Sequence, residues 1–367
     1  MSKDTRKRKA EHIQISLNQN VQARRITTSF EDIHFIHRAL PELDKQKIDL
    51  STTLFGHRFA APLIVGAITG GTAEATKINA TIAEAIEELG LGMGVGSQRA
   101  AIEDKKLAKT FTIARKKAPT AFLIANIGGV QLVHGYGLKE VEKAVEMIEA
   151  DALAIHLNPL QETTQPEGQT NFKGVLEKIG KIAKELHKPI IVKETGAGIA
   201  AEEAKKLEAV GVSGIDVSGA GGTSWAAVEY YRAKKQRNSF QRRLGDVFWD
   251  WGIPTAISIA EVSQSVNIPV IASGGIRDGV EIAKALSLGA DLTSLSQPVL
   301  QAAIKGAKET KNVLSLLMDE LKNTMFLVGA GSVRALQKIP LVITGKMAEW
   351  LRMRDFDAEV YGRRGRK

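Results

Sequence analysis

The sequence of 367 residues contains no cysteine, and this absence excludes disulfides, thiolate metal sites and cysteine nucleophiles. The chain also lacks any run of about 18 consecutive apolar residues, so we expect no membrane span. Its first residues are charged rather than apolar, which argues against a secretory signal. These absences together lead us to expect a cytoplasmic protein.

Aromatic residues are also few, at 5% of the chain, and the formal net charge is +9, from 50 basic and 41 acidic residues. Basic ends of this kind suit nucleic acid, a membrane surface or phosphorylated substrates. Because no zinc-finger or RNP-type motif accompanies them, we expect no nucleic-acid partner. Much of the excess charge lies at the two ends, in Lys3, Arg6, Lys7, Arg8 and Lys9 and in Arg363, Arg364, Arg366 and Lys367.

An apolar fraction of 44% and the presence of 34 glycines fit one large α/β domain. From residue 61 onward, short apolar runs alternate with amphipathic helical patterns, which is typical of parallel βα units. Eight such units predict a closed (β/α)8 TIM barrel. The candidate strands are Pro62 to Ile68, Leu91 to Gly96, Ala121 to Ile127, Ala152 to Leu157, Pro189 to Glu194, Gly214 to Ser218, Ile268 to Ser273 and Ala290 to Leu295.

The remaining segments are interpreted from apolar spacing and loop length. Residues 1 to 60 form an N-terminal extension with a helix near Arg8 to Leu17, residues 61 to 325 form the barrel, and residues 326 to 367 form a C-terminal segment. Residues 224 to 252 form a long loop after the sixth strand, which we expect to be a lid or partly disordered. Helices are predicted at Asn79 to Leu89, Leu138 to Ile148, Glu202 to Ala209, Gly279 to Leu288, Val299 to Lys308 and Val313 to Met325.

Polar or glycine-rich residues follow all eight predicted strands. Barrel enzymes carry their active sites at the carboxyl ends of the strands, so we predict one large site there. In chain order the strand ends read Ala67-Ile-Thr-Gly-Gly71, Gly96-Ser-Gln-Arg99, Asn126, His156-Leu-Asn-Pro-Leu-Gln-Glu162, Lys193-Glu-Thr-Gly-Ala-Gly198, Ser218-Gly-Ala-Gly-Gly-Thr223, Ser273-Gly-Gly-Ile-Arg-Asp278 and Ser296-Gln297.

The heptad after the fourth strand places four polar side chains within seven residues. Asn158 and Gln161 offer amides and His156 offers an imidazole. Glu162 is a hard carboxylate that suits Mg²⁺, which prefers oxygen ligands and is often shared with substrate phosphates. The alternative interpretation is an ordinary strand end capped by polar residues.

The last two strand ends have the residues of a phosphate cradle, in which glycine lets the backbone approach an anion closely. Gly274, Gly275 and Arg277 supply this chemistry, although a tight turn also selects glycine. Lys193 places a cation inside the mouth, where it suits negative charge on a reduced flavin ring. Other strand ends offer hydrogen bonds for the ring edge and ribityl chain, and each fits an ordinary strand end equally well: Thr69, Ser97, Asn126, Ser218 and Thr223.

Near the N-terminus, Arg8 and His12 lie four residues apart and share one face of the predicted helix. Together with Lys9 and with Arg99 from the second strand end, they suit a diphosphate. The alternative interpretation is a solvated run of charge.

These motifs resemble those of the type 2 isopentenyl-diphosphate isomerases, flavoproteins that interconvert isopentenyl and dimethylallyl diphosphate. The resemblance runs nearly end to end, and the heptad and the opening Arg8-Lys-Ala-Glu-His12 are specific to that family. The glycine motifs are shared with many FMN barrels. Leu295-Ser-Gln-Pro298 departs from the family, which more often has alanine at this phosphate contact.

The resemblance implies FMN, active when reduced, with Mg²⁺ at Glu162, NAD(P)H as the reductant and a homotetramer or larger assembly. It assigns catalytic roles to Gln161, His156 and Asn158. It assigns substrate binding to Arg8, Lys9, His12, Ser97, Gln98, Arg99 and Gln161. It assigns FMN binding to Ala67, Ile68, Thr69, Ser97, Asn126, Lys193, Ser218, Thr223, Gly275, Ile276, Arg277, Ser296 and Gln297.

The implied reaction moves a proton on and off carbon with no net oxidation. We hypothesise that the reduced flavin is the main acid-base group, because it can exchange protons beside the substrate. The diphosphate site and Mg²⁺ would then orient the substrate.

Two other function classes stay open at this point. An FMN oxidoreductase such as a 2-hydroxy-acid oxidase would need a histidine base and a carboxylate-binding arginine near the sixth strand end, where this chain has Ser218-Gly-Ala-Gly-Gly222. A protein that binds nucleic acid with its basic ends would retain DNA in a salt-dependent manner without flavin.

Overall fold

The computed structural model describes the backbone of residues 2–365 and the side chains of residues 7–365. The basic side chains of Lys3 and Arg6, and residues Arg366 and Lys367, lie outside this range. Within the described part of the chain, no helix combines the length and the apolar character needed to cross a membrane.

Eight parallel strands close into a barrel in chain order, and β8 completes the ring by pairing with β1 at Ser294 and Ile64. All eight predicted strands are confirmed within a few residues of their predicted bounds. We number the barrel strands β1 (Leu63–Val65), β2 (Gly92–Gly94), β3 (Phe122–Gly128), β4 (Ala152–His156), β5 (Ile190–Lys193), β6 (Gly214–Asp216), β7 (Val270–Ser273) and β8 (Leu292–Leu295).

Apolar side chains fill the barrel and close its amino end. A hairpin of the strands Thr52–Leu54 and His57–Phe59 covers the amino ends of the barrel strands. The ring of Phe59 is fully buried and lies 5.3 Å from the ring of Phe122, centroid to centroid. Because aromatic rings plug this end, the carboxyl end is where a ligand can enter. Further interior residues are Ile64, Ile124, Ala154, Ile191, Ile271 and Leu292.

Helices surround the barrel, and local signals set their bounds. The helix Gly279–Leu288 matches its prediction, because Asp278 accepts a hydrogen bond from Glu281 N (2.8 Å) and Gly289 ends the helix at φ 117°. The other helices between β1 and residue 328 are Ala73–Leu89, Arg99–Glu103, Lys109–Lys117, Gly129–Leu132, Leu138–Met147, Pro159–Thr164, Val175–Glu185, Ala201–Ala209, Trp225–Lys235, Ser239–Val247, Thr255–Ser263, Gln297–Ala303 and Ala307–Val328.

Residues 224–252, which we call the insertion, follow β6 as predicted but are ordered. They contain two of the helices above, Trp225–Lys235 and Ser239–Val247. The hydroxyl of Ser224 caps the first helix by accepting from the backbone N–H of the third residue along (3.2 Å). The insertion buries an apolar cluster that includes Val228 and Trp249, which packs its two helices together.

The two end segments flank the barrel. The N-terminal helix Ser2–Asn18 covers the carboxyl end of the barrel, and the strand Ile33–Phe35 pairs antiparallel with the strand Leu341–Ile343 near the other end of the chain. The predicted N-terminal helix is thus confirmed and is longer than expected. The remaining short helices are Val333–Leu336, Gly345–Met353 and Glu359–Arg363, with 3-10 turns at Phe30–Asp32, Lys45–Lys47 and Lys105–Leu107.

Candidate active site

A cavity of about 280 Å³ lies at the carboxyl end of the barrel, beneath the N-terminal helix. Residues at or after the ends of all eight strands line it, and it contains every predicted site residue except Gln98. The predicted residues on its wall are Arg8, Lys9, His12, Ala67, Ile68, Thr69, Ser97, Arg99, Asn126, His156, Asn158, Gln161, Glu162, Lys193, Ser218, Thr223, Gly275, Ile276, Arg277, Ser296 and Gln297.

Gln98 is the one predicted site residue that does not line the cavity. Its side chain is fully buried and does not line the cavity, although both of its chain neighbours do. Its oxygen accepts from Asn126 N (2.8 Å) and its amide nitrogen donates to Ala144 O (2.7 Å). Gln98 therefore ties β3 to the helix Leu138–Met147, and the predicted substrate contact is not supported.

Positive charge dominates the cavity wall. Gathering like charges in a partly buried space is unfavourable unless an anion balances them. The wall therefore suits negatively charged ligands. Five cationic side chains oppose the carboxylates of Glu162 and Asp216, and these cations are Arg8, Lys9, Arg99, Lys193 and Arg277.

Lys9 shows how strongly these charges act on one another. Its ammonium donates to Ser97 O (2.6 Å) and lies 5.4 Å from the centroid of the Phe111 ring. Burial, followed by the charges of Arg8 and Arg99, lowers the pKa of Lys9 to about 7. Lys9 can therefore change its charge close to neutral pH.

The loops after β6 and β7 approach each other so closely that only glycine fits. A Cβ added at Gly222 would lie 2.5 Å from Gly275 Cα. A Cβ added at Gly275, which has φ 73°, would lie 2.4 Å from Thr28 Cγ2. We call this close approach of Gly222 and Gly275 the glycine crossing. Beside it, Arg277 is held by Gln22, whose Oε1 accepts from Arg277 Nη2 (2.8 Å). Exposed backbone next to a fixed guanidinium suits a phosphate group.

His156 is the last residue of β4 and is neutral. Its Nδ1 donates to Asn126 Oδ1 (2.8 Å), since the amide nitrogen of Asn126 donates to Val95 O (3.0 Å) and leaves the oxygen to accept. Burial, followed by the charges of Lys193 and Lys9, lowers the pKa of His156 to about 3. The ring thus carries its single proton on Nδ1 and can only accept at Nε2.

Lys193 and Asp216 are paired residues at the ends of β5 and β6, and both face the cavity. Sequence reasoning missed Asp216, whose carboxylate accepts from the hydroxyl of Ser273 and whose pKa is raised by burial. Burial also raises the pKa of Glu194 to about 7, while one of its oxygens accepts from three successive backbone N–H groups that begin at Thr195. Glu194 thereby fixes the loop that carries Thr195 on the wall.

Glu162 lies on the short helix Pro159–Thr164 and is held by three donors. Its Oε1 accepts from Asn158 Nδ2 (2.9 Å), and its Oε2 accepts from Gln165 Nε2 (3.0 Å) and Gln169 N (2.6 Å). The side-chain oxygens of Asn158 and Gln165 are buried and have no protein partner. Buried acceptors need partners, so these oxygens mark a place for water or a ligand.

Glu162 would be a single carboxylate ligand for a metal. Among the residues whose side chains are described, no group of three His, Asp or Glu side chains is arranged to hold a metal ion. Mg²⁺ tolerates this arrangement, because it keeps several waters and takes substrate phosphates as further ligands.

A buried ion-pair cluster between the N-terminal helix and the insertion was not predicted. Arg232 is its centre, donating to Glu229 Oε2 (2.6 Å), Glu167 Oε1 (2.7 Å) and Glu11 Oε2 (3.3 Å). The sequence signal is the spacing of Glu229 and Arg232, which places opposite charges three residues apart on one face of the helix. The ring of Trp225 also faces the cavity and meets the His12 ring edge to face at 5.1 Å.

Comparison with known proteins gives the class and then the family. The chain matches the family model of FMN-dependent dehydrogenases over residues 1–125 and 137–342, so it belongs to this class of barrels. Isopentenyl-diphosphate delta-isomerase of Pyrococcus furiosus is 51% identical over 95% of this chain and 89% of its own length. The isopentenyl-diphosphate delta-isomerase of Methanothermobacter thermautotrophicus is 50% identical over 97% of this chain and 99% of its own. The chain belongs to the isopentenyl-diphosphate delta-isomerase family, which confirms the resemblance read from the sequence.

Solved structures share the fold at much lower identity. A mandelate oxidase with a monooxide FMN adduct has a TM-score of 0.61 and 19% identity, covering 87% of this chain and 90% of that one. A lactate oxidase of Pediococcus acidilactici has the same TM-score and identity and covers 94% and 93% of the two chains. At this identity the likeness concerns the fold alone.

Proposed function

We propose that the protein interconverts isopentenyl and dimethylallyl diphosphate, with FMN in the cavity and Mg²⁺ at Glu162. The observation that carries this proposal is the charge of the cavity, where five cationic side chains oppose two carboxylates. That balance suits two phosphorylated ligands held side by side. Relatives with the isomerase name, which match over nearly the whole chain, support the same conclusion.

The chemistry of the donor groups supports FMN in the inner part of the cavity. Lys193 offers an ammonium at the end of β5, and Arg277 with the glycine crossing after β6 and β7 suits the phosphate. Side chains that can hydrogen-bond the ring edge or the ribityl chain include Thr69 and Ser218. Reduced FMN, when bound, would supply a nitrogen that exchanges protons beside the substrate.

The outer part of the cavity suits the diphosphate. Arg8, Lys9 and His12 project from the N-terminal helix, and Arg99 approaches from the loop after β2. A bound anion favours the charged form of Lys9, so the neutral amine of Lys9 would take up a proton and become an ammonium as the diphosphate arrives. Mg²⁺ at Glu162 would bind the same diphosphate as these cations.

The remaining side chains would orient the alkene and exclude water. Gln161 cannot ionise, so its part is to position the reacting end of the substrate rather than to move a proton. The neutral ring of His156 donates from Nδ1 to Asn126 and offers only an acceptor at Nε2. It therefore adds no positive charge near the reacting carbon. Trp225 and the N-terminal helix cover the mouth, and a dry site protects a cationic intermediate from water.

Three further features belong to this proposal. NAD(P)H would be the reductant, the protein would be cytoplasmic, and it would assemble as a homotetramer or larger. They rest on the family resemblance and on the absence of cysteine.

The deciding experiment is isomerisation of isopentenyl diphosphate by FMN-loaded protein with Mg²⁺, run anaerobically with and without a reductant. The proposal expects dimethylallyl diphosphate in the reduced sample alone. No product in either sample, with FMN still bound, would contradict the proposal and leave an FMN oxidoreductase. Oxidation of a 2-hydroxy acid by the same preparation would then identify that rival.

A further inference from the structure

Gln169 touches both charged parts of the proposed substrate site. Its backbone N–H donates to Glu162 Oε2 (2.6 Å), and its side-chain Oε1 accepts from Arg99 Nη1 (3.2 Å). A guanidinium can only donate, so the atom that faces Arg99 is the amide oxygen. One residue therefore joins the carboxylate proposed for Mg²⁺ to an arginine proposed for the diphosphate.

The backbone contact of Gln169 depends on a tight turn. After the helix Pro159–Thr164 the chain folds back, and Gly168 N donates to Gln165 O (3.1 Å). A Cβ added at Gly168 would lie 1.7 Å from Glu162 O, so only glycine permits this approach. The turn brings the N–H of Gln169 directly to the carboxylate.

The side chain of Gln169 is fixed from the barrel side. Gln131 Nε2 donates to the same amide oxygen (3.3 Å). Gln131 is buried and lies in the helix Gly129–Leu132, which follows β3 without a break. Because Gln131 is anchored to the barrel rim, the oxygen of Gln169 is held in a set direction, toward Arg99.

Arg99 has a second anchor on its own helix. Its Nε donates to Glu103 Oε1 (2.8 Å). These two contacts use two of the five N–H donors of the guanidinium, which leaves three for an anion. If the contact with Gln169 were lost, Glu103 alone would hold the guanidinium of Arg99, which could then rotate about its side-chain bonds.

We propose that Gln169 is a positioning residue for a metal-bound diphosphate, because it holds Arg99 at a fixed separation from Glu162. Glu162, which would hold Mg²⁺, and Arg99, which would bind a phosphate, are thereby kept together by one residue. This inference rests on the proposed function.

The test replaces Gln169 with methionine, which keeps the backbone N–H on Glu162 and removes the oxygen that faces Arg99. We expect the Kd for inorganic diphosphate with Mg²⁺, measured by calorimetry on the FMN-loaded enzyme, to rise about five- to tenfold. The KM for isopentenyl diphosphate should rise in parallel while kcat changes less than about twofold. Thr170→Val, an exposed neighbour, is the matched control and should leave both constants unchanged.

The same substitution made in a variant that lacks Arg99 distinguishes a positioning role from a general loss of structure. In Arg99→Ala, Gln169→Met should weaken diphosphate binding less than about twofold, because the group it positions is gone. An equal loss in both backgrounds, or no loss in the native background, overturns the inference. If Arg99→Ala itself binds diphosphate as tightly as the native protein, the proposed diphosphate site fails, and the role of Gln169 fails with it.

Discussion

His12 and Glu229, which stand 217 positions apart in the sequence, face each other with 2.9 Å between Nε2 and Oε1. Glu229 is fully buried, and Arg232 donates to its second oxygen at 2.6 Å. Burial lowers the pKa of His12, although the hydrogen bond to Glu229 and its charge oppose this. Because His12 belongs to the N-terminal helix and Glu229 to the insertion, the contact fastens together the two segments that cover the cavity.

Replacing Glu229 with glutamine should destabilise the protein, since it leaves the buried guanidinium of Arg232 with one fewer carboxylate. We expect the free energy of unfolding to fall by about 3 kcal/mol in chemical denaturation. Asp246→Asn, which removes a surface pair with Arg24, is the control and should cost less than about 1 kcal/mol. Equal losses in the two variants would show that the Glu229 cluster is no stronger than a surface pair.

Lys9 should produce a pH dependence near neutrality. Its pKa of about 7 means that the free protein carries the ammonium below that pH and loses the charge above it. We therefore expect kcat/KM for isopentenyl diphosphate to fall as pH rises through about 7. Lys9→Arg stays charged throughout and should remove this inflection; if the inflection persists in that variant, another group causes it.

His156 should make stability fall in acid. Its pKa is about 3 in the folded protein against an ordinary value of 6.5, so the unfolded chain takes up a proton first as the pH drops. Stability from this group is full above pH 6.5 and is lost progressively toward pH 3. Unfolding free energies measured from pH 8 to pH 4 should fall less steeply for His156→Gln, which has no titrating group. Parallel curves would contradict the low pKa.

Gly275→Ala should disturb the glycine crossing and reduce the FMN retained by the purified protein. The new methyl group would lie 2.4 Å from Thr28 Cγ2 on a backbone with φ 73°, so the loop has to move. Gly137→Ala is the matched control, since nothing lies within 4 Å of its Cβ position. Absorbance at the flavin band gives the FMN content, and equal content in both variants would place the phosphate elsewhere.

Gln161→Ala should lower turnover by about a hundredfold, the size of effect expected when a substrate is misplaced by an ångström. Its Oε1 accepts from Asn158 Nδ2 (3.1 Å), so the side chain is already oriented in the cavity. FMN should stay bound, because the glycine crossing is untouched. Thr163→Ala, on the exposed face of the same helix, should turn over normally. An unchanged rate in Gln161→Ala would remove Gln161 from the reaction.

The barrel and most of the wall could be predicted because both follow from local sequence. Each strand is a short apolar run, and polar or glycine residues follow where the run ends. The strand ends can therefore be recognised in the sequence. A closed barrel then brings eight separate ends to one rim. This is why the sequence predicts one site for Thr69 and Arg277, although they are more than 200 positions apart.

Side-chain direction and long-range pairing could not be read in this way. Ser97, Gln98 and Arg99 are consecutive polar residues, but only the backbone geometry decides that the middle one turns into the protein. The contact between Gln169 and Arg99 likewise depends on a turn in one loop and a helix in another. Hydrogen bonds between such distant residues leave no periodic trace in either segment.

The ribbon formed by Ile33–Phe35 and Leu341–Ile343 has a consequence for how the chain is made. During translation the first of these strands leaves the ribosome before any barrel strand, and its partner leaves after all eight. The connection between the N-terminal helix and the barrel therefore gains this anchor only once residue 343 has been synthesised. A chain cut short before residue 341 would therefore have all eight barrel strands but would leave the strand Ile33–Phe35 without its partner.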